Sequence, residues 1–306
     1  MSIELTQHEP PISTVFLEQA ILETLAYSDI FDYPLRIEEL HRYISLPVIR
    51  SELIEIINYR NDLIKMLDGY YFLAGREHLI PLRQKREAAS RPLFQRAIWY
   101  GRILASLPFI RLVGLTGSLA LQNCDETADI DYLLVTTHGR VWMARAFALI
   151  LGRLTALFGN TLCPNLIISD QTLAWHKQDL YSARELCHMI PIFGAEVYAQ
   201  LRQINSWTNS FLPNASSAPE LGQKELADPP LFQSLFEWPL RGAFGDRIEA
   251  WEGDRKIKRF TNQTGYGPET QFDRDICQGN FDQHGLQTKT AFVRRLTSLG
   301  LSVKDK

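Results

Sequence analysis

The chain has 306 residues, 45% hydrophobic and 22% charged, with a formal net charge of −3. Such a composition belongs to an ordinary globular protein with a sizeable core and about two or three domains. It excludes a globally basic surface that would draw the chain to nucleic acid or anionic lipid.

The opening MSIELTQHEPP has neither a basic n-region nor an apolar h-region, so no signal peptide is expected. Residues 14–28, TVFLEQAILETLAYS, space their apolar positions as a helix does. A turn at FDYP (31–34) leads to a short helix at 36–44. A second helix, opened by Pro47, runs to about Tyr59. In LIKMLDGYYFLAG (63–75), Asp68-Gly69 between apolar runs predicts a hairpin. Three helices followed by a hairpin is the order of a winged-helix module. Residues 1–76 carry six Lys/Arg against twelve Asp/Glu, however, and Arg50 and Arg60 of the would-be recognition helix are offset by Glu52 and Glu55. Phosphate contacts dominate DNA affinity, so the expected role is packing or homo-oligomerisation, not DNA binding.

Residues 83–102, RQKREAASRPLFQRAIWYGR, carry six basic residues and one acid. They predict a helix whose charges form a solvated face, leading into a strand at 109–115. The most apolar stretch, VWMARAFALILGRLTALFG (141–159), is interrupted by Arg145 and Arg153, which argues for a packed helix rather than a membrane span. A strand at 161–169 follows. From about 177 the chain reads as helical, with a polar surface loop at 213–229 and a closing helix at 286–299. Four scattered cysteines without a CxxC pair predict reduced thiols in a cytoplasmic protein.

The stretch 116–136, TGSLALQNCDETADIDYLLVT, carries the chemistry. After a strand ending at Leu115, Gly117-Ser118 turns the chain into a short helix, offering backbone amides and a hydroxyl to a phosphate. About ten residues later, Asp129 and Asp131 flank Ile130 at the head of a strand. Alternate strand residues face the same way, roughly 6–7 Å apart along the backbone. Carboxylates that close repel each other unless a cation sits between them.

Gly-Ser, a spacer of about ten residues, then Asp-x-Asp with apolar flanks resembles the DNA polymerase β-like nucleotidyltransferase superfamily over roughly 105–170. The resemblance implies a core whose aspartates hold Mg²⁺ or Mn²⁺ while a nucleoside triphosphate donates a nucleotidyl group. It assigns Asp129 and Asp131 to metal binding and catalysis, and Gly117 and Ser118 to the phosphates. The family's third carboxylate, on a later strand, is matched here by Asn165, a weak metal donor that cannot accept a proton at neutral pH. Asp170, at the end of that strand, is the candidate substitute base. Otherwise the base lies elsewhere, or the protein is a non-catalytic nucleotide-binding or regulatory one.

Trp175, Tyr181 and Trp207 are more readily core aromatics than base-stacking ones, and His176, His188 and His284 lack metal-ligand spacing. Lys177 and Arg184 follow the core closely enough to reach a triphosphate. The expected fold class is α+β: a nucleotidyltransferase-type mixed-sheet core (81–176) between a winged-helix-like module (1–80) and a helical C-terminal domain (177–306). The acceptor, a small molecule or a protein side chain, leaves no mark in the sequence.

Overall fold

The computed structural model describes residues 14–57, 62–219 and 232–301. The first unit contains α1 (Thr14–Asp29), α2 (Ile37–Tyr43) and α3 (Arg50–Ile57), followed by β1 (Ile64–Leu67) and β2 (Tyr70–Leu73). The two strands pair antiparallel with Leu67 opposite Tyr70, and Asp68 and Gly69 turn at φ 52° and 79°. Two consecutive positive φ values are what a two-residue hairpin demands, which explains the Asp-Gly pair. Ile21, Leu25, Leu35, Leu40 and Leu53 form this unit's core, joined by Leu296 from the far end of the chain. The end of the third predicted helix, at 58–61, lies outside the described residues, as do parts of the 213–229 loop.

The long helix α4 (Leu79–Ala105) connects this unit to the sheet. Its basic run is not simply a solvated face. Arg83 is 2% exposed and bridges Glu39 of α2 and Glu87 of α4 at 2.9 and 3.0 Å, while its Nη1 donates to the Leu121 carbonyl. Arg36 reaches the same Glu87 at 2.9 Å. A buried charge needs such pairing to be tolerated, so these groups fasten the N-terminal helices to the core.

The sheet has six strands: β3 (Ile110–Leu115), β4 (Ile130–Thr136), β5 (Leu162–Ser169), β6 (Ile190–Phe193), β7 (Thr270–Phe272) and β8 (Ile276–Gly279). Their spatial order is β6-β3-β4-β5-β8-β7. Only β4 and β5 run parallel; every other pair is antiparallel. The sheet is therefore mixed within an α+β fold. Strand β4 is central and, apart from Asp131, buried throughout, which is why IDYLLVT is apolar on both faces.

One face of the sheet packs Tyr132 and Leu134 against α4 and α6 (Val141–Ala156). The other packs Leu112, Leu133 and Ile168 against α7 (Leu180–His188) and α8 (Ala195–Ile204). Residues 177–306 are thus not purely helical: they supply β6, β7 and β8. Within the region expected to be helical, the chain is broken into α9 (Gln233–Glu237), a 3₁₀ turn and α10 (Ala243–Thr261). The break serves packing. Gln233 donates to the carbonyls of Ala105, Leu107 and Ile110, and Glu237 accepts the Phe109 amide and pairs with Arg111 at 2.8 Å. The C-terminal helix α11 spans His284–Ser298.

No helix among the described residues is long and apolar enough to cross a membrane. Arg145 of α6 instead lies over the Phe260 ring, 4.8 Å from its centroid. All four cysteines are free thiols.

Candidate functional site

The site begins where β3 hands the chain to a turn. The Thr116 amide donates to the Asp131 carbonyl at 2.9 Å, which holds the turn against the first residues of β4. Gly117 then adopts φ 68°, a region that disfavours any residue with a β-carbon. A β-carbon added there would lie 2.4 Å from Oδ2 of Asp131. The conformation and the close approach both demand glycine. The next residue, Ser118, is exposed and its carbonyl accepts the Asn123 amide at 2.9 Å, closing the short α5 (Gly117–Ala120).

Asp131 stands two residues before Leu133 and so shares its face of the sheet. Across the parallel pair its register partner is Cys163, whose thiol hydrogen-bonds the carboxylate. Burial, and next the charge of Asp129, push the Asp131 carboxyl up to about 6; Cys163 and His284 pull the other way. The Cys163 thiol is itself pushed up to about 12 by burial and by both aspartates. Asp129 lies exposed just before β4. The two aspartates and the Gly-Ser turn therefore meet at one end of the sheet, as the spacing in the sequence predicts.

Asn165 and Asp170 fare differently. The β4–β5 register shifts between Tyr132 and Leu133, and Asn165 occupies the bulge without a strand partner. Its exposed side chain opens into a cleft of about 250 Å³. Asp170 sits at the opposite end of the sheet: its amide donates to the Thr136 carbonyl, and its carboxylate caps the His138 amide at 3.0 Å. Thr136 is five residues beyond Asp131, about 16 Å along a strand rising ~3.3 Å per residue. Asp170 is thus removed from the Asp129–Asp131 pair.

The cleft brings in residues that the sequence reading passed over. Glu185 of α7 lines it, and burial followed by the Asp131 charge pushes its carboxyl up to about 7. Glu269 lines it too, accepting from Lys177 Nζ at 2.6 Å, Asn280 Nδ2 at 2.7 Å and the Gly285 amide at 2.9 Å. His176, His284, Trp175 and Tyr181 complete much of the wall. Trp207 instead packs edge-on against Phe211. Arg184, expected near a triphosphate, points away from this cleft's lining and lies between the rings of Tyr27 and Tyr43. Buried His188 lies on the same helix and is pushed down to about 3 by burial and by the charges of Arg184 and Arg42.

Glu185 left no signal in the sequence: only the structure shows that the other residues from Ser182 to His188 are buried around it. Among the described residues no group of three or more His, Cys, Asp or Glu is arranged to hold one metal ion. The arrangement offers two mutually repelling carboxylates at the head of β4, packed against a glycine-tight turn and beside a cleft that contains Glu185, whose carboxyl is pushed up to about 7. Comparison with family models, curated proteins and solved structures returns no match for the chain.

Proposed function

We propose that the chain is a Mg²⁺-dependent nucleotidyltransferase, moving a nucleotidyl group from a nucleoside triphosphate to a small-molecule or protein acceptor. The contact between Gly117 and the Asp131 carboxylate carries this reading, because it sets a phosphate-gripping turn directly against a metal-binding acid. In this reading residues 105–170 are a nucleotidyltransferase core and residues 14–75 a winged-helix-like packing module.

Asp129 and Asp131 would hold Mg²⁺ or Mn²⁺, which neutralises phosphate charge and activates a bound hydroxyl. The donor chemistry fits. Neither aspartate forms an ion pair among the described residues, and Asp131 is pushed up partly by its neighbour's charge. Mg²⁺ takes a few carboxylates and fills its shell with water and substrate oxygens, so the lack of a third protein ligand is no obstacle.

The remaining roles belong to the chain's own groups. The Gly117-Ser118 turn presents its amides and hydroxyl to the phosphates. Lys177, paired with Glu269, and His284 line the cleft and are the candidate contacts for a leaving pyrophosphate. Glu185 replaces the missing strand carboxylate as general base. A carboxyl titrating near neutrality is suited to accept a proton at physiological pH. The acceptor oxygen attacks the α-phosphorus, the bond to pyrophosphate breaks, and the acceptor's proton passes to Glu185.

A second reading, a non-catalytic nucleotide-binding or regulatory protein, is favoured by Asn165: the strand position that should bear an acid carries an amide on an exposed bulge. A nucleoside triphosphate binding panel with and without Mg²⁺, followed by a pyrophosphate-release assay, separates the two. Mg²⁺-dependent binding with release supports transfer, and binding without release under any acceptor supports the second reading. In neither reading do we propose a DNA-binding role for the N-terminal unit; its acidic balance and the pairing of Arg50 with Glu38 support that.

A further inference from the structure

A second cavity, of about 230 Å³, lies between α1, α7 and α11 on the other side of Tyr181. Its wall is largely apolar, with Phe16, Leu46, Phe211, Phe292 and Val293 among its lining. Into this wall is set Arg184, only 8% exposed. The guanidinium is sandwiched between Tyr27 and Tyr43, 4.6 and 4.5 Å from their ring centroids. Its Nη2 donates to the Tyr43 carbonyl at 3.3 Å, and its Nε has no hydrogen-bond partner.

No carboxylate pairs with Arg184 among the described residues. The two acids on the cavity wall are committed elsewhere: Glu23 accepts from Gln19 at 2.8 Å, and Asp179 caps the Ser182 amide at 2.8 Å and lies 3.6 Å from Lys177. The contrast with Arg83 is direct, since that equally buried arginine has two carboxylates within 3.0 Å. A buried cation without a counter-ion is costly, and the two aromatic faces offset only part of that cost. Lys289, at the same cavity, adds a second positive charge.

We propose that this cavity binds a small carboxylic acid with an apolar body, its carboxylate on the open edge of the Arg184 guanidinium and its body against the Phe and Leu wall. The planar guanidinium fork matches a carboxylate. The volume falls below the roughly 300–1,000 Å³ of sites for drug-sized ligands, which restricts the occupant to a medium-chain or single-ring acid. Nothing in this proposal depends on nucleotidyl transfer.

The test is isothermal titration of the full chain at pH 7.5 with octanoate, and with octanol and octylammonium as the uncharged and cationic counterparts. Saturable octanoate binding is expected, at least tenfold tighter than either counterpart. Arg184→Met should reduce octanoate to the octanol level. Val293→Trp, which fills the cavity and leaves the charge in place, should weaken octanoate and octanol together. If Arg184→Met does not fold, Val293→Trp carries the test alone. Octanoate bound no tighter than octanol, no saturable binding at millimolar concentration, or affinity unchanged in either folded variant would overturn the proposal.

Discussion

Gly117 and Asp131 approach so closely that a β-carbon on the glycine would stand 2.4 Å from the aspartate's Oδ2. The turn and the carboxylate are therefore one unit, and the glycine fixes where the acid points. Gly117→Ala meets a positive φ and a collision at once. The strain alone costs on the order of 1–3 kcal/mol, and the aspartate must move to relieve the contact. We expect a modest fall in melting temperature and a much larger loss of Mg²⁺-dependent triphosphate affinity. Calorimetric melting beside nucleotide titration checks the two separately.

Glu185 is assigned the proton-accepting role, so Glu185→Gln should lower pyrophosphate release by about 10²–10⁴-fold while leaving triphosphate affinity nearly unchanged. Asn165→Asp places a carboxylate on the exposed bulge, and turnover should change little or fall, because the added charge repels the acids already present. A gain in activity in Asn165→Asp would mean that the strand position, not α7, is where a base belongs.

The pH dependence of stability isolates His188. Burial and the charges of Arg184 and Arg42 hold it at about 3, below the ordinary histidine value of 6.5. The unfolded chain thus binds a proton there that the folded chain refuses. Its contribution is fully present above pH 6.5 and is lost as pH falls toward 3, at roughly 1.4 kcal/mol per pH unit. Asp131 and Glu185 act in the opposite sense: their raised values cost stability as pH rises from about 4 to 7. The difference between wild type and His188→Leu removes that opposing background. Denaturant unfolding from pH 4 to 7 should show the stability of wild type relative to the variant falling as pH falls, by roughly 1.4 kcal/mol per pH unit below 6.5.

Which parts of this were legible in the sequence follows from how local each signal is. The Asp68-Gly69 hairpin, the strand at 130–136 and the Gly-Ser turn are set by neighbouring residues, and their periods and turn chemistry are visible in the chain. Strands β6 and β7 were not, because they are only four and three residues long and form the sheet's edges. Pro191 within β6 further masks it, since proline reads against a central strand and is tolerated at an edge. The bulge at Asn165 depends on registration against β4, which no single segment encodes. Glu185 becomes part of the site only when α7 is laid over the sheet. Asp170 could serve only if the strand register brought it beside the pair, and the length of β5 carries it to the far end.

Whether Asp129 and Asp131 bind a triphosphate through Mg²⁺ is decided by calorimetric titration of a nucleoside triphosphate, with Mg²⁺ and with chelator, into wild type and Asp131→Asn. Asparagine is nearly isosteric and removes a charge whose carboxyl is already pushed up to about 6, so the variant should fold. Binding to wild type should weaken at least tenfold under chelator and vanish in Asp131→Asn. Triphosphate binding of equal strength in the variant, or binding indifferent to Mg²⁺, would contradict the Mg²⁺ role of the pair.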